Sequence, residues 1–80
     1  VLPVYPRFAR RIGKEGTVML RLTLDEGGSL KNVELLEKAG HGFDEAAVAA
    51  VRASRFRPAL RHGRPVSCRA ILPVRFELQD

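Results

Sequence analysis

Val66-Ser67-Cys68-Arg69-Ala70-Ile71-Leu72-Pro73-Val74-Arg75-Phe76-Glu77-Leu78 alternates along its whole length. Cys68, Ala70, Leu72, Val74, Phe76 and Leu78 form an apolar face, and the residues between them form the other. A period of two predicts a strand half buried against a core. Pro73 then places that strand. Proline has no N–H to give to a ladder, so within a sheet it belongs on an edge, with its nitrogen turned outward. Alternate residues aim their backbone groups at opposite neighbours, so Arg69, Ile71, Arg75 and Glu77 face outward with Pro73.

Upstream, Arg61-His62-Gly63-Arg64-Pro65 reads as a loop. Before it lies an Ala-rich helix through Ala46-Ala47-Val48-Ala49-Ala50-Val51, a composition with high helix propensity. Asp44 is the expected N-cap, with Phe43 stapling onto Val48. Arg52 and Arg55 fall in the expected last turn, where cations favour the helix dipole, and Pro58 prevents continuation. Further back, Thr17 to Asp25 alternates cleanly and predicts a second half-buried strand. Asp25-Glu26-Gly27-Gly28-Ser29 is a turn, and Leu30 to Glu37 is its return arm. Near the start, Pro6 suits the first position of a short helix and Gly13 its stop. Phe8, Ala9 and Ile12 form the expected buried face of that helix. Residues 1–5 read as an extended arm, because Pro3 and Pro6 each bias their predecessor toward extended geometry.

The predicted order is α-β-β-α-β in a single domain spanning residues 1–80, an α+β fold. The long helix returns the chain to the other end of the sheet. The last strand therefore runs parallel to the second and antiparallel to the first. A three-stranded, antiparallel-type sheet in the order 2-1-3, with both helices on one face, satisfies these constraints and puts Pro73 on an edge.

A chain of 80 residues with one Cys has no internal disulfide, so apolar packing must hold it. Formal net charge is +5, supplied mostly by Arg. That excess suits nucleic acid, an acidic membrane surface, an acidic partner, or merely a solvated surface. No apolar run approaches the ~20 residues of a membrane span. The chain opens on Val1 rather than Met, and reads as a processed product or a piece of a longer protein. An enzyme site is not expected. Cys68 reads as a buried small hydrophobe. His41 and His62 sit in separate loops without metal-ligand spacing, and Asp44 and Glu45 suit helix capping. No metal and no cofactor are expected.

An exposed edge is a liability that charge and proline blunt, and Arg69, Pro73 and Arg75 fit that protective role. They equally fit β-augmentation, in which an extended peptide adds as a further strand. The pattern by itself leaves both open.

Several motifs in order carry a resemblance. Tyr5-Pro6, Ala9, Gly13 and Glu15-Gly16-Thr17-Val18 are followed by Gly28, Leu30 and Val33. Phe43-Asp44, Ala46-Ala47, Ala50-Val51 and Arg55-Phe56-Arg57-Pro58-Ala59 come next, then Gly63-Arg64-Pro65-Val66 and Val74-Arg75-Phe76. At these spacings the chain resembles the TonB C-terminal domain family over nearly its whole length. It departs at Ala39-Gly40, where many members carry a Ser-rich turn, and at Ser54, where a bulky aromatic is common.

The resemblance implies a periplasmic domain of an inner-membrane-anchored protein from a Gram-negative bacterium. It implies capture of the TonB box of outer-membrane transporters by strand addition. Proton-motive force, delivered by ExbB and ExbD through the N-terminal part, then drives uptake of siderophores, haem or cobalamin. Strand addition maps to the last strand, with Arg69, Ile71, Pro73, Arg75 and Glu77 as expected partner-binding residues. Transporter contact by the arm maps to Leu2, Pro3, Val4 and Tyr5. Short fragments of the family can also form intertwined homodimers. Two other readings compete: a basic nucleic-acid-binding module centred on Arg52, Arg55, Arg57, Arg61 and Arg64, and a TolA-like structural domain spanning the envelope. Against nucleic acid, there is no Trp, and most aromatics (Tyr5, Phe8, Phe43, Phe56, Phe76) fall on expected core faces rather than on a stacking platform.

Overall fold

The computed structural model describes residues 2–79, so Val1 of the expected arm and Asp80 of the expected domain span lie outside the described residues. The elements are α1 (Arg7–Arg11), β1 (Gly16–Leu24), β2 (Leu30–Glu37), α2 (Phe43–Ala53), β3 (Ala59–Arg61), β4 (Arg64–Val66) and β5 (Cys68–Phe76). Three strands form an antiparallel sheet in the order β2-β1-β5, which is the expected 2-1-3 arrangement, and β3 and β4 form a separate hairpin.

Alternation along β1 dictates the core. Val18, Leu20, Leu22 and Leu24 are all buried on one face. Ala9 of α1 and Phe43, Ala47 and Val51 of α2 close over that face, joined by Val74 and Phe76 of β5. Small alanines let α2 lie close to the sheet. Its backbone lies over β1 and β2, and it reaches β5 at the Phe76 end through Phe43. The start of β5 is consequently uncovered: Cys68 is half buried rather than buried, and Ala70 on the same face is exposed.

The β1–β2 turn is held by Asp25, whose carboxylate accepts from the N–H groups of Gly27 at 2.9 Å and Ser29 at 2.8 Å. Those bonds, chiefly the one from Ser29, hold the Asp25 carboxyl below its ordinary pKa, and Lys31 adds to the effect. Gly28 has φ +83, and a Cβ there would sit 2.6 Å from the Phe56 carbonyl oxygen, so the turn requires glycine.

Several local expectations are corrected. The α1 face seats only Ala9; Phe8 is 62% exposed and Ile12 is exposed as well. A helix of five residues makes little more than one turn, enough to present one side chain to the core. The α2 N-cap is Gly42, at φ 82, not Asp44. Phe43 is the first helical residue, and its ring stacks on Phe76 at 4.6 Å between centroids. Asp44 reaches backward instead, accepting from the N–H groups of Ala39 at 2.9 Å and Gly40 at 3.1 Å. The helix stops at Ala53, so Arg55 lies beyond it, while the Ser54 hydroxyl donates to the Ala50 carbonyl at 2.7 Å.

Residues 61–65 are not a loop. Ala59 pairs with Val66, Leu60 with Pro65 and Arg61 with Arg64, around a two-residue turn at His62 and Gly63. Both turn residues have positive φ, 53° and 76°, the signature of a type I′ hairpin turn. Val66 therefore belongs to β4, and the last strand begins at Cys68.

Candidate functional site

The β1–β5 ladder runs through nine successive pairs without a register shift, from Gly16↔Phe76 to Leu24↔Cys68. Pro73 lies inside it, opposite Met19. Having no N–H to give β1, its position is a non-hydrogen-bonded pair of the ladder, with backbone groups turned away from β1. By the period of two, Arg69, Ile71 and Arg75 also turn their N–H and C=O outward. The free edge of β5 thus offers paired donors and acceptors with one missing donor.

The other edge is built differently. Leu20 pairs with Leu35 but Met19 pairs with Glu37, which leaves Leu36 without a partner on β1. A second shift between Thr23 and Leu24 skips Lys31. Two bulges in eight residues kink β2 and twist its outer row, a common defence of an edge. Of the two edges of the three-stranded sheet, β5 is the one whose register on β1 is unbroken.

The outward set of β5 has its side chains on the face that carries no helix. Arg69, Ile71, Pro73 and Arg75 stand beside Thr23, Arg21, Met19 and Thr17 respectively, and Ile71 is 53% exposed. On that face Arg21 holds Glu34 of β2 in a two-point pair, at 2.7 and 3.3 Å. The Arg21 hydrogen bond is the main cause that depresses the Glu34 carboxyl, and Arg69 contributes from across the sheet.

Glu77, expected in the strand, lies just past it. Its carboxylate pairs with the Arg75 guanidinium. The ladder ends at Phe76 because Glu15 takes over the next backbone group, its carboxylate accepting from the Leu78 N–H at 2.7 Å. Glu15, Gly16, Thr17, Arg75, Phe76 and Glu77 line a notch of about 210 Å³ at that end. Sequence reasoning missed Glu15 here, since its partner lies 63 positions away.

The arm splits into two parts. Tyr5 packs edge-on against Phe43 at 5.6 Å and Phe76 at 5.8 Å, and its hydroxyl donates to the Lys14 carbonyl. Burial raises the Tyr5 pKa, Glu15 adds to this, and Arg10, 5.2 Å from the ring centroid, opposes it. Tyr5 is thereby joined to the Phe76 end of β5. Leu2 and Val4 are instead 88% and 78% exposed, and line a separate cavity with Ala46, Ala49, Ala50 and Ala53 of α2. The expected site residues do not form one patch. Among the described residues, no group of His, Cys, Asp and Glu gathers to hold a metal ion, and no helix is long and apolar enough to cross a membrane.

Residues 1–78 match the family described as Gram-negative bacterial TonB protein C-terminal. Protein TonB of Vibrio cholerae is 40% identical over 80 residues, covering 99% of this chain and 33% of the relative. Protein tonB2 of Pseudomonas aeruginosa is 36% identical over 77 residues, covering 95% of this chain and 28% of the relative. The chain thus spans about a third or less of the length of these curated relatives. The solution NMR structure of the Pseudomonas aeruginosa TonB CTD superposes with a TM-score of 0.81 at 30% identity, covering 100% of this chain and 82% of that one. A fold built on the order β2-β1-β5, an uninterrupted edge at β5 and this agreement along the chain lead to one assignment: the chain belongs to the TonB C-terminal family.

Proposed function

We propose that this chain is the periplasmic, non-enzymatic grip of a TonB-like energy transducer, and that it captures the TonB box of outer-membrane transporters by strand addition at β5. The carrying observation is the contrast between an unbroken β5 edge and a β2 edge interrupted at Lys31 and Leu36. Backbone groups of Arg69, Ile71 and Arg75 pair with the incoming strand, and the Pro73 gap fixes its register. Ile71 supplies apolar contact beside the guanidinium groups of Arg69 and Arg75, while Glu77 at the notch orients Arg75. Leu2, Val4 and Tyr5 make the arm's contact with the transporter, with Tyr5 holding the arm to the end of the same strand. Segments preceding this domain anchor the protein in the inner membrane and couple it to ExbB and ExbD, so that proton-motive force drives uptake of siderophores, haem or cobalamin.

The test is a titration of the isotope-labelled domain with a synthetic TonB-box peptide. A concentration series of molecular mass comes first, because an intertwined homodimer would cover the edge. The amide resonances of Arg69, Ile71 and Arg75 are expected to shift more than those of Val33 and Leu35. Shifts confined to β2 would sink the reading.

A further inference from the structure

The charge of this chain is unevenly written. Between Glu45 and Glu77 there is no acidic residue and no Lys, yet there are seven Arg. Arg61 and Arg64 belong to the β3–β4 hairpin, and Arg55 and Arg57 lead into it. None of these four joins an ion pair among the described residues; the pairs present are Arg21–Glu34, Lys31–Asp25 and Arg75–Glu77.

The hairpin is a two-stranded sheet of its own, and all of residues 60–65 are exposed. Arg61 and Arg64 are directly opposed across it, so their side chains share a face. Like charges so placed are mutually destabilising, and no acid relieves them. His62 adds a second local cost by holding a positive φ at a non-glycine position. The other face carries Leu60 and Pro65, and Leu60 is 67% exposed. The tip is therefore two-faced and exposed, with a guanidinium pair on one side and an apolar side chain on the other.

We propose that the β3–β4 hairpin is a docking tip for an anionic, phosphate-bearing lipid surface. The shape and the type of cation both favour it. Leu60, Arg61, His62, Gly63, Arg64 and Pro65 are all exposed around the two-residue turn, so the hairpin ends in a projecting tip. A convex tip suits a flat, deformable layer better than a peptide, which needs a groove. Exclusive use of Arg suits phosphate, because the planar guanidinium binds its oxygens two at a time. Leu60 provides the apolar contact that an interfacial site adds to electrostatic attraction. The tip joins β5 through Ser67 alone, so lipid docking would hold the strand-addition edge close to a membrane face. The lipid site does not depend on that edge being used.

The experiment is co-sedimentation of the 80-residue chain with phosphatidylcholine vesicles, with and without phosphatidylglycerol at about a third of the lipid. Partitioning is expected only with the anionic lipid, and is expected to weaken steeply with salt. Arg61→Ala with Arg64→Ala should reduce it roughly 10- to 30-fold. The double Lys replacement should keep part of the binding, and Leu60→Ser should weaken it with charge unchanged. Far-UV circular dichroism serves as the fold control, and should be the same in every variant. Equal partitioning to neutral and anionic vesicles would overturn the proposal, as would no partitioning, or a double Ala variant that binds like the parent. Tighter binding to a duplex oligonucleotide or to polyglutamate than to the anionic vesicles would overturn it as well.

Discussion

The two edges of the sheet share one central strand and differ in almost everything else. β2 meets β1 with two skipped residues, lies under α2 and carries Lys31 at one bulge. β5 meets β1 residue for residue, meets α2 where Phe43 stacks on Phe76, and is marked by a proline that leaves most of its outward groups intact. Both edges are charged, so charge does not distinguish them. Continuity does: an incoming strand needs consecutive outward groups at constant spacing, and a bulge breaks that spacing. A sheet can therefore protect one edge and offer the other with the same amino-acid types, merely by where the register slips.

The change expected to damage this asymmetry most is Phe76→Ala. Its ring joins β5 to Phe43 and Tyr5, and truncating a buried Phe costs about 3–5 kcal/mol. That is a large part of the 5–15 kcal/mol typical of a whole domain. Urea denaturation should show the loss, and amide exchange should show β5 losing protection before β2. A loss below about 1 kcal/mol would mean that the rings do not anchor the edge. Next comes Ile71→Pro, which removes a second outward donor beside Pro73. Net loss of one hydrogen bond, about 1 kcal/mol, predicts a Kd for TonB-box peptide weakened roughly fivefold. Leu36→Ala, at the bulge of the opposite edge, should leave that Kd unchanged. Equal effects from both would erase the distinction between the edges.

The smallest expected effect is one of pH. Asp25 and Glu34, both on the β2 side, have their carboxyls held below the ordinary value by hydrogen bonds that need the charged form. A depressed folded pKa gives stability that is present above the unfolded value and lost as pH falls through the folded one. Acid should thus loosen β2 before β5. Amide exchange at successively lower pH should show protection falling first at Lys31 to Glu37. Asp25→Asn with Glu34→Gln should remove that difference.

The parts of this fold that were legible in the sequence rest on repeated patterns. Alternation in β1 and β5 fixed the core face; the return of the chain through α2 set the order β2-β1-β5, and Pro73 agreed independently by placing β5 at an edge. What the residues concealed depends on single positions or on distant partners. The Gly-His-Gly run at Gly40 to Gly42 moved the α2 cap two places upstream, since Gly42 holds a left-handed φ that few residues adopt. His62 does the same in the hairpin, where a His-Gly turn is weaker as a signal than Asn-Gly. Adjacent Leu35 and Leu36 broke the alternation of β2 and were the visible trace of a bulge. Within the candidate site, the outward row Arg69, Ile71, Pro73 and Arg75 could be read directly. The clamp by Glu15 on Leu78 could not, because nothing local requires it.

The three rings of Tyr5, Phe43 and Phe76 have a mechanical consequence. Tension applied at Leu2 meets its first fixed point at Tyr5, whose ring bears on both the start of α2 and the last residue of β5. The load enters at the corner of the domain where the edge strand ends, rather than at its free loops. Tyr5 meets both other rings edge to face, while Phe43 and Phe76 stack on each other, so aromatic packing lies between the arm and the β1–β5 ladder. The arm is thus joined to the end of the edge strand by side-chain packing rather than by backbone pairing.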